Sequence, residues 1–304
     1  SLSSDAPPSP ICACALTFCK KNMTRPKRSY YKYRPLYSDR SGGVPHGFTQ
    51  SLIESHRVFY ATPTSFNDPF DCNLRLHAND STDDDWIRYI DSLIDQYPLR
   101  RDQLTVVKDQ KLWNIHPELG DIGLSSRKTI YEESSVLCLA KRPDSIPMFA
   151  YYADDHHGVA IELEFSDTEI PCGIPCGDLA DRENLYERKI TVGDIEYLPD
   201  LPELNYHRLY NTPQLVKSLM YTKFNGWIHE EEFRVFRKGV AASSLEFPAP
   251  MLKRIIFGAR TGSAEFDLAK HWLGSHGHPV ILAKAEVSTG TFGLDVEDFE
   301  TYEP

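Results

Sequence analysis

Val159-Ala160-Ile161-Glu162-Leu163-Glu164-Phe165 is the clearest alternating stretch of the chain, and it reads as a β-strand because side chains on a pleated backbone point to opposite faces in turn. Upstream lie the glycine turn Asp155-His156-His157-Gly158, the segment 148–152 and an apolar strand at residues 135–139. Further out, Trp86, Tyr89, Ile90, Leu93 and Ile94 follow a helical period, so residues 80–133 read as a helical insertion with a second helix near Ile130. Ser81 and Thr82 offer a cap at its start, and Asp83, Asp84 and Asp85 suit the helix dipole there. Towards the N-terminus, residues 30–36 read as a first strand ending at Pro35, residues 52–54 as a short helix and residues 58–61 as a strand. Downstream, residues 166–212 are loop-like apart from a strand at 195–197, residues 212–224 read as helix and residues 233–236 as strand. The C-terminal part reads strand 255–258, helix 263–272 with Ser263 as cap, and strand 280–287. Strands interleaved irregularly with helices predict an α+β fold, with one domain over residues 30–304 behind a flexible leader of residues 1–29.

Composition narrows the function classes. The chain has 304 residues, 41% hydrophobic and 12% aromatic, enough to bury a sizeable core. Its longest apolar runs, 136–140 and 279–283, fall far short of the roughly 20 residues that span a bilayer, so no membrane partner is expected. Residues 11–18 lack a preceding basic region and have Cys12, Cys14 and Cys19 in or beside them, which argues against a signal peptide. Seven cysteines, with Cys72 and Cys138 inside apolar segments, point to a reducing, cytoplasmic compartment. A zinc site from Cys12, Cys14, Cys19, Cys172 and Cys176 lacks a nearby histidine, and no metal is expected. With 44 acidic against 33 basic side chains the net charge of −11 repels a phosphate backbone, so a protein, nucleotide or small molecule is favoured over duplex nucleic acid.

The densest chemistry lies in Glu230-Glu231-Glu232-Phe233-Arg234. Read as a strand, it puts Glu230, Glu232 and Arg234 on one face and Glu231, Phe233 and Val235 on the other. Two carboxylates beside a guanidinium can hold a sugar hydroxyl, an oxocarbenium-like centre or a metal; the plain alternative is a solvated edge with a weak ion pair. Trp227 and His229 add an aromatic wall and a proton carrier. Arg34, at the end of an aromatic strand, either pairs with an internal carboxylate or forks onto phosphate. Phe66-Asn67-Asp68-Pro69-Phe70-Asp71 reads first as a rigid turn in which Asn67 or Asp68 caps backbone amides, and second as a loop that positions a ligand. Tyr151, Tyr152, Asp154, Asp155, His156 and His157 mix groups suited to acid–base work or ligand stacking. No Gly-x-x-x-x-Gly-Lys-Ser loop, Gly-x-Ser-x-Gly elbow, kinase signature or His-Glu-x-x-His helix occurs.

Taken in order, four segments resemble the bacterial family catalogued as domain of unknown function 2971. They are the Tyr-Lys-Tyr-Arg strand at residues 31–34, the turn at 66–71, the segment from Met148 to Gly158, and the block Lys223, Trp227, Glu230, Glu232, Phe233, Arg234. Phe149 stands where the family has Trp, and Tyr151 where it has His. The order of an Arg-bearing first strand, a Ser/Thr segment on the next and a late Glu-x-Glu strand looks like the Arg–Ser–Glu layout of ADP-ribosyltransferases. That likeness implies a mixed, mostly antiparallel split β-sheet with helical insertions. It also implies NAD as substrate, with Arg34 on the pyrophosphate, Thr62, Thr64 or Ser65 lining the pocket, Glu232 polarising the nicotinamide ribose and Glu230 orienting an acceptor. Tyr151 or Tyr152 would stack on nicotinamide, with His156, Trp227 and Arg234 completing the wall. The role implied is an ADP-ribosyltransferase or NAD glycohydrolase serving as a bacterial toxin, effector or defence protein, acting in its own or a target cell's cytoplasm. Two other classes remain open: a nucleotide-sensing or partner-binding module without turnover, and a metal-dependent hydrolase or nuclease using Glu230, Glu232 and His156.

Overall fold

The computed structural model describes residues 26–39, 43–115, 132–166, 170–171, 190–210, 213–274 and 276–304. The expected helix near Ile130, residues 1–25 of the leader, and Cys12, Cys14, Cys19, Cys172 and Cys176 lie outside them. The first half carries β1 (Arg28–Arg34), α1 (Gly47–Glu54), β2 (Arg57–Tyr60), β3 (Arg75–His77), α2 (Asp83–Gln96), α3 (Arg101–Asp109), β4 (Ser135–Ala140) and α4 (Ile146–Tyr152). Then come β5 (Val159–Phe165), β6 (Ile190–Asp194), β7 (Glu196–Leu198), β8 (Glu203–Asn205), α5 (Tyr206–Leu209), α6 (Pro213–Met220) and β9 (Thr222–Phe224). The last are β10 (Glu232–Arg237), β11 (Ser243–Glu246), β12 (Leu252–Phe257), α7 (Ser263–Leu273), β13 (Val280–Val287) and β14 (Leu294–Tyr302).

Eight strands form one sheet in the order β14-β13-β12-β5-β1-β4-β10-β6, in which only β12 and β13 run parallel. Three two-stranded ladders accompany it. The fold is therefore α+β with a large, mostly antiparallel sheet. β5 alternates as its sequence requires, but both faces are covered. Val159, Ile161, Leu163 and Phe165 join the core that includes Leu52 of α1 and Trp272 of α7, and Ala160 joins a second core with Phe149 of α4. Glu162, on that second face, is buried and accepts a hydrogen bond from Ser29 Oγ at 2.6 Å. A third core packs α2, α5 and α6 against Val136 of β4 and Phe236 of β10. β1 pairs with β5 along its whole length, yet meets β4 at the single register pair Tyr31↔Ala140. The sheet is thus splayed between β1 and β4, and the cavity described below opens there. Among the described residues no helix is long and apolar enough to cross a membrane.

Several local expectations shift. β1 begins at Arg28, so Arg28 and Ser29 belong to the sheet and not to a leader. The helix expected over 212–224 stops at Met220 and gives way to β9, and residues 190–205 hold three strands where one was expected. Ser263 is the first helical residue of α7, while Gly262 is the cap, its N–H bonded to Glu265 at 2.8 Å. β14 has no apolar stripe to betray it, because it is a charged edge strand exposed along most of its length. The α2 start matches its signals: Thr82 Oγ1 accepts from Asp85 N–H, and the Asp85 carboxylate accepts from Thr82 N–H. A hydrogen bond from Arg208 holds the Asp85 carboxyl down at about 2, so it stays ionised at the dipole's positive end. Thr82→Ala should lower stability by about 1 kcal/mol in a denaturant titration; an unchanged midpoint would show that the Asp85–Arg208 pair holds the helix start alone.

Gly158 is required by close approach. A Cβ there would overlap the Arg34 carbonyl oxygen and the Ala153 backbone. Gly158→Ala should therefore push β1 away from the turn, costing roughly 1–3 kcal/mol as overpacking does. A variant that melts like the wild type would mean that β1 yields freely.

Candidate functional site

β10 pairs with β4 on one side and β6 on the other, and cores pack on both its faces, Phe233 and Val235 in one and Phe236 in the other, so every one of its side chains is buried. Glu232 and Arg234 share a face by alternation. Glu230 does not extend this strand, as the sequence pattern suggested. Residues 225–230 form a 3₁₀ turn, and Glu231 takes a left-handed conformation (φ 42°) that swings Glu230 inward. Glu231 is left partly exposed, 3.5 Å from Arg142.

Five buried charged groups then meet. Lys223 Nζ lies 2.5 Å from Glu230 Oε2, 3.1 Å from Glu232 Oε2 and 3.3 Å from Asp71 Oδ2. Arg234 donates from Nε (2.6 Å) and Nη2 (3.0 Å) to the two oxygens of Glu232, and from Nη2 to Asp71 Oδ2 (2.7 Å). Its Nη1 reaches the Met220 carbonyl at 2.9 Å. Two cations against three carboxylates leave one net negative charge, and it is not shared evenly. Burial opposes ionisation of Glu232, but Arg234 and Lys223 overcome it and hold that carboxyl well below the ordinary range. For Glu230 burial prevails over Lys223, Glu232 adds repulsion, and the carboxyl is raised. Glu230 also accepts from Tyr152 OH at 2.7 Å. Its proton affinity is thus shifted opposite to that of Glu232, and it lines an open space.

That space is a cavity of about 780 Å³, within the usual range for small-molecule sites. β9 and β10 supply Lys223 and Glu232 on one side, the turn between them supplies Glu230, β1 supplies Lys32 and Arg34 on the other, and β4 lies between. Lys32 spans the splay, donating to the Cys138 carbonyl at 2.7 Å. Burial and the neighbouring Arg34 push the Lys32 ammonium down to about 8, and burial lowers Arg34 as well. Among the described residues no carboxylate pairs with either cation, and Arg34 Nε has no hydrogen-bond partner.

The residues singled out in the sequence divide. Arg34, Ser65, Asn67, Tyr151, Tyr152, Glu230 and Glu232 line the cavity. Thr62 and Thr64 do not, because the 3₁₀ turn at Pro63–Ser65 turns their hydroxyls towards each other, 3.0 Å apart. Arg234 is fully buried, bonded to Glu232 and Asp71, and does not line the cavity. Trp227 stands behind Lys223, whose Nζ is 5.4 Å from the ring, and edge-on to Tyr151. His156 lies outside the lining: it sits in a left-handed turn, stacked on Phe149, with its carbonyl accepting from Arg260 N–H. Asp68 caps the Phe70 N–H at 2.9 Å, and Asn67 Nδ2 lies 3.4 Å from Tyr152 OH. Sequence reasoning missed Lys32, which shares a strand face with Arg34, and the roles of Lys223 and Asp71. A period of two from Arg34 was the available signal for Lys32; Lys223 and Asp71 stood in two of the four segments quoted above, but nothing local shows that they meet.

Among the described residues no three His, Cys, Asp or Glu side chains are grouped to hold a metal ion. The three carboxylates that do converge have Lys223 between them. No protein-family model matches the chain, and neither a curated protein nor a solved structure matches it.

Proposed function

We propose that the cavity binds NAD and breaks its nicotinamide–ribose bond, as an NAD glycohydrolase or ADP-ribosyltransferase. The observation that carries this reading is the pairing, in one cavity, of two cations that have no carboxylate partner among the described residues and a buried carboxylate of raised proton affinity. Lys32 and Arg34 suit the pyrophosphate, the guanidinium as a fork and the ammonium as a point charge. Glu230 then faces the ribose. As the C1′–N bond breaks, its electron pair leaves with neutral nicotinamide and positive charge builds on the ribose, where a fixed carboxylate stabilises it. Water or an acceptor hydroxyl adds to C1′ and passes its proton to Glu230. Lys223 and Tyr152 orient that carboxylate, and Glu232, locked by Arg234, supplies fixed negative charge behind it. The roles of the two glutamates are thus the reverse of those implied by the sequence layout.

Incubating the protein with NAD and following free nicotinamide by chromatography tests the proposal; no release under any acceptor condition would overturn it. A second reading, a nucleotide-binding module without turnover, is favoured by one feature: both Glu230 oxygens already have donors, Tyr152 and Lys223. Under that reading NAD raises the melting temperature while nicotinamide release stays at background.

A further inference from the structure

The end of the cavity beyond Arg34 is aromatic. Phe48, near the start of α1, stacks on Phe59 of β2 with ring centroids 4.4 Å apart and an interplanar angle of 26°. Both rings line the cavity, and Phe48 is 43% exposed although it sits beside the core. The Arg34 guanidinium is 5.8 Å from the Phe48 centroid, so this wall adjoins that cation directly. His46 lines the same end. Thr49 Oγ1 donates to the Pro35 carbonyl at 2.7 Å, so the 2.9 Å contact between Thr49 and His46 Nδ1 must be donated by the imidazole. Burial and Arg34 lower the His46 pKa, which favours the neutral ring, and with Nδ1 donating to Thr49 the neutral ring has Nε2 as an acceptor.

We infer that Phe48, Phe59 and His46 form a subsite for an amino-bearing purine, so that the cavity's ligand is a purine nucleoside diphosphate or a dinucleotide built on one. Phe48, 43% exposed, and Phe59 present aromatic surface to the cavity against which a base can pack. A neutral imidazole acceptor suits an exocyclic amino group, and the cations next to it suit the phosphates that such a base carries. This inference rests on the phosphate placement proposed above but not on any bond being broken.

The two are separable with ADP, which has base and pyrophosphate but no nicotinamide bond to break, and with ribose 5-phosphate, which lacks the base and one phosphate, so that the response of each to Phe48→Ala isolates the base. Calorimetric titration should find ADP bound more tightly than ribose 5-phosphate. Phe48→Ala should weaken ADP roughly tenfold while leaving ribose 5-phosphate unchanged, and Phe48→Trp should restore ADP binding. Phe48 is 43% exposed and gives up only its stacking on Phe59, so Phe48→Ala should stay folded, and a cooperative melting transition verifies this. Equal binding of the two probes, or ADP affinity indifferent to Phe48→Ala, overturns the subsite even if NAD is cleaved. Phe48-dependent ADP binding with no nicotinamide release keeps the subsite and removes the proposed reaction.

Discussion

Arg234→Met is expected to be the most destabilising single change in the site, costing on the order of 3–5 kcal/mol, because it leaves buried carboxylates without their guanidinium. Arg234 is fully buried and makes two bonds to Glu232 and one to Asp71. Removing it leaves Lys223 alone among three carboxylates. Lysine in its place would not help, since a point charge cannot reproduce the fork. Neutralising a partner should, and Arg234→Met/Glu232→Gln should recover much of the loss in a urea titration. Strict additivity of the two single changes would show that the pair is energetically uncoupled and that the cluster does not organise this end of the sheet.

Glu230→Gln should reduce nicotinamide release by about 100-fold or more, the scale seen when a fixed transition-state electrostatic contact is lost. Its effect on folding should be small and of predictable sign. Because the folded-state pKa of Glu230 is raised, its contribution to stability is present below the unfolded carboxylate pKa and is lost as pH rises through the folded value. Glutamine mimics the protonated form, so the variant should match or exceed wild-type stability at neutral pH and vary less with pH above the ordinary carboxylate range. Glu232 has the opposite sign. Its depressed pKa contributes stability above the unfolded value that is lost as pH falls through the folded one, so Glu232→Gln should lose stability at neutral pH. The contrast separates the reacting carboxylate from the anchoring one: wild-type turnover in Glu230→Gln would eliminate the assignment.

The sequence by itself determined the elements whose cause is local. Residues 159–165 are a strand because their apolar side chains alternate with a period of two, and residues 135–139 because a short apolar run suits a covered strand. The α2 start is fixed by Thr82 and Asp85, three residues apart. The concentration of charge at residues 230–234 also marked where chemistry gathers. The tertiary structure alone decided everything that depends on which segments become neighbours. A left-handed residue at Glu231 carries Glu230 into the cluster, and no pattern with a period of two can express that turn. Asp71 and Arg234 meet across 163 positions of chain, and Tyr152 meets Glu230 across 78. The separation of β1 from β4 after one register pair, which turns Lys32 and Arg34 from strand residues into cavity cations, is set by the packing of whole layers. A carboxylate's charge can be read from its letter, but its proton affinity follows from burial and from neighbours brought by the fold, which is why two glutamates two positions apart take opposite shifts.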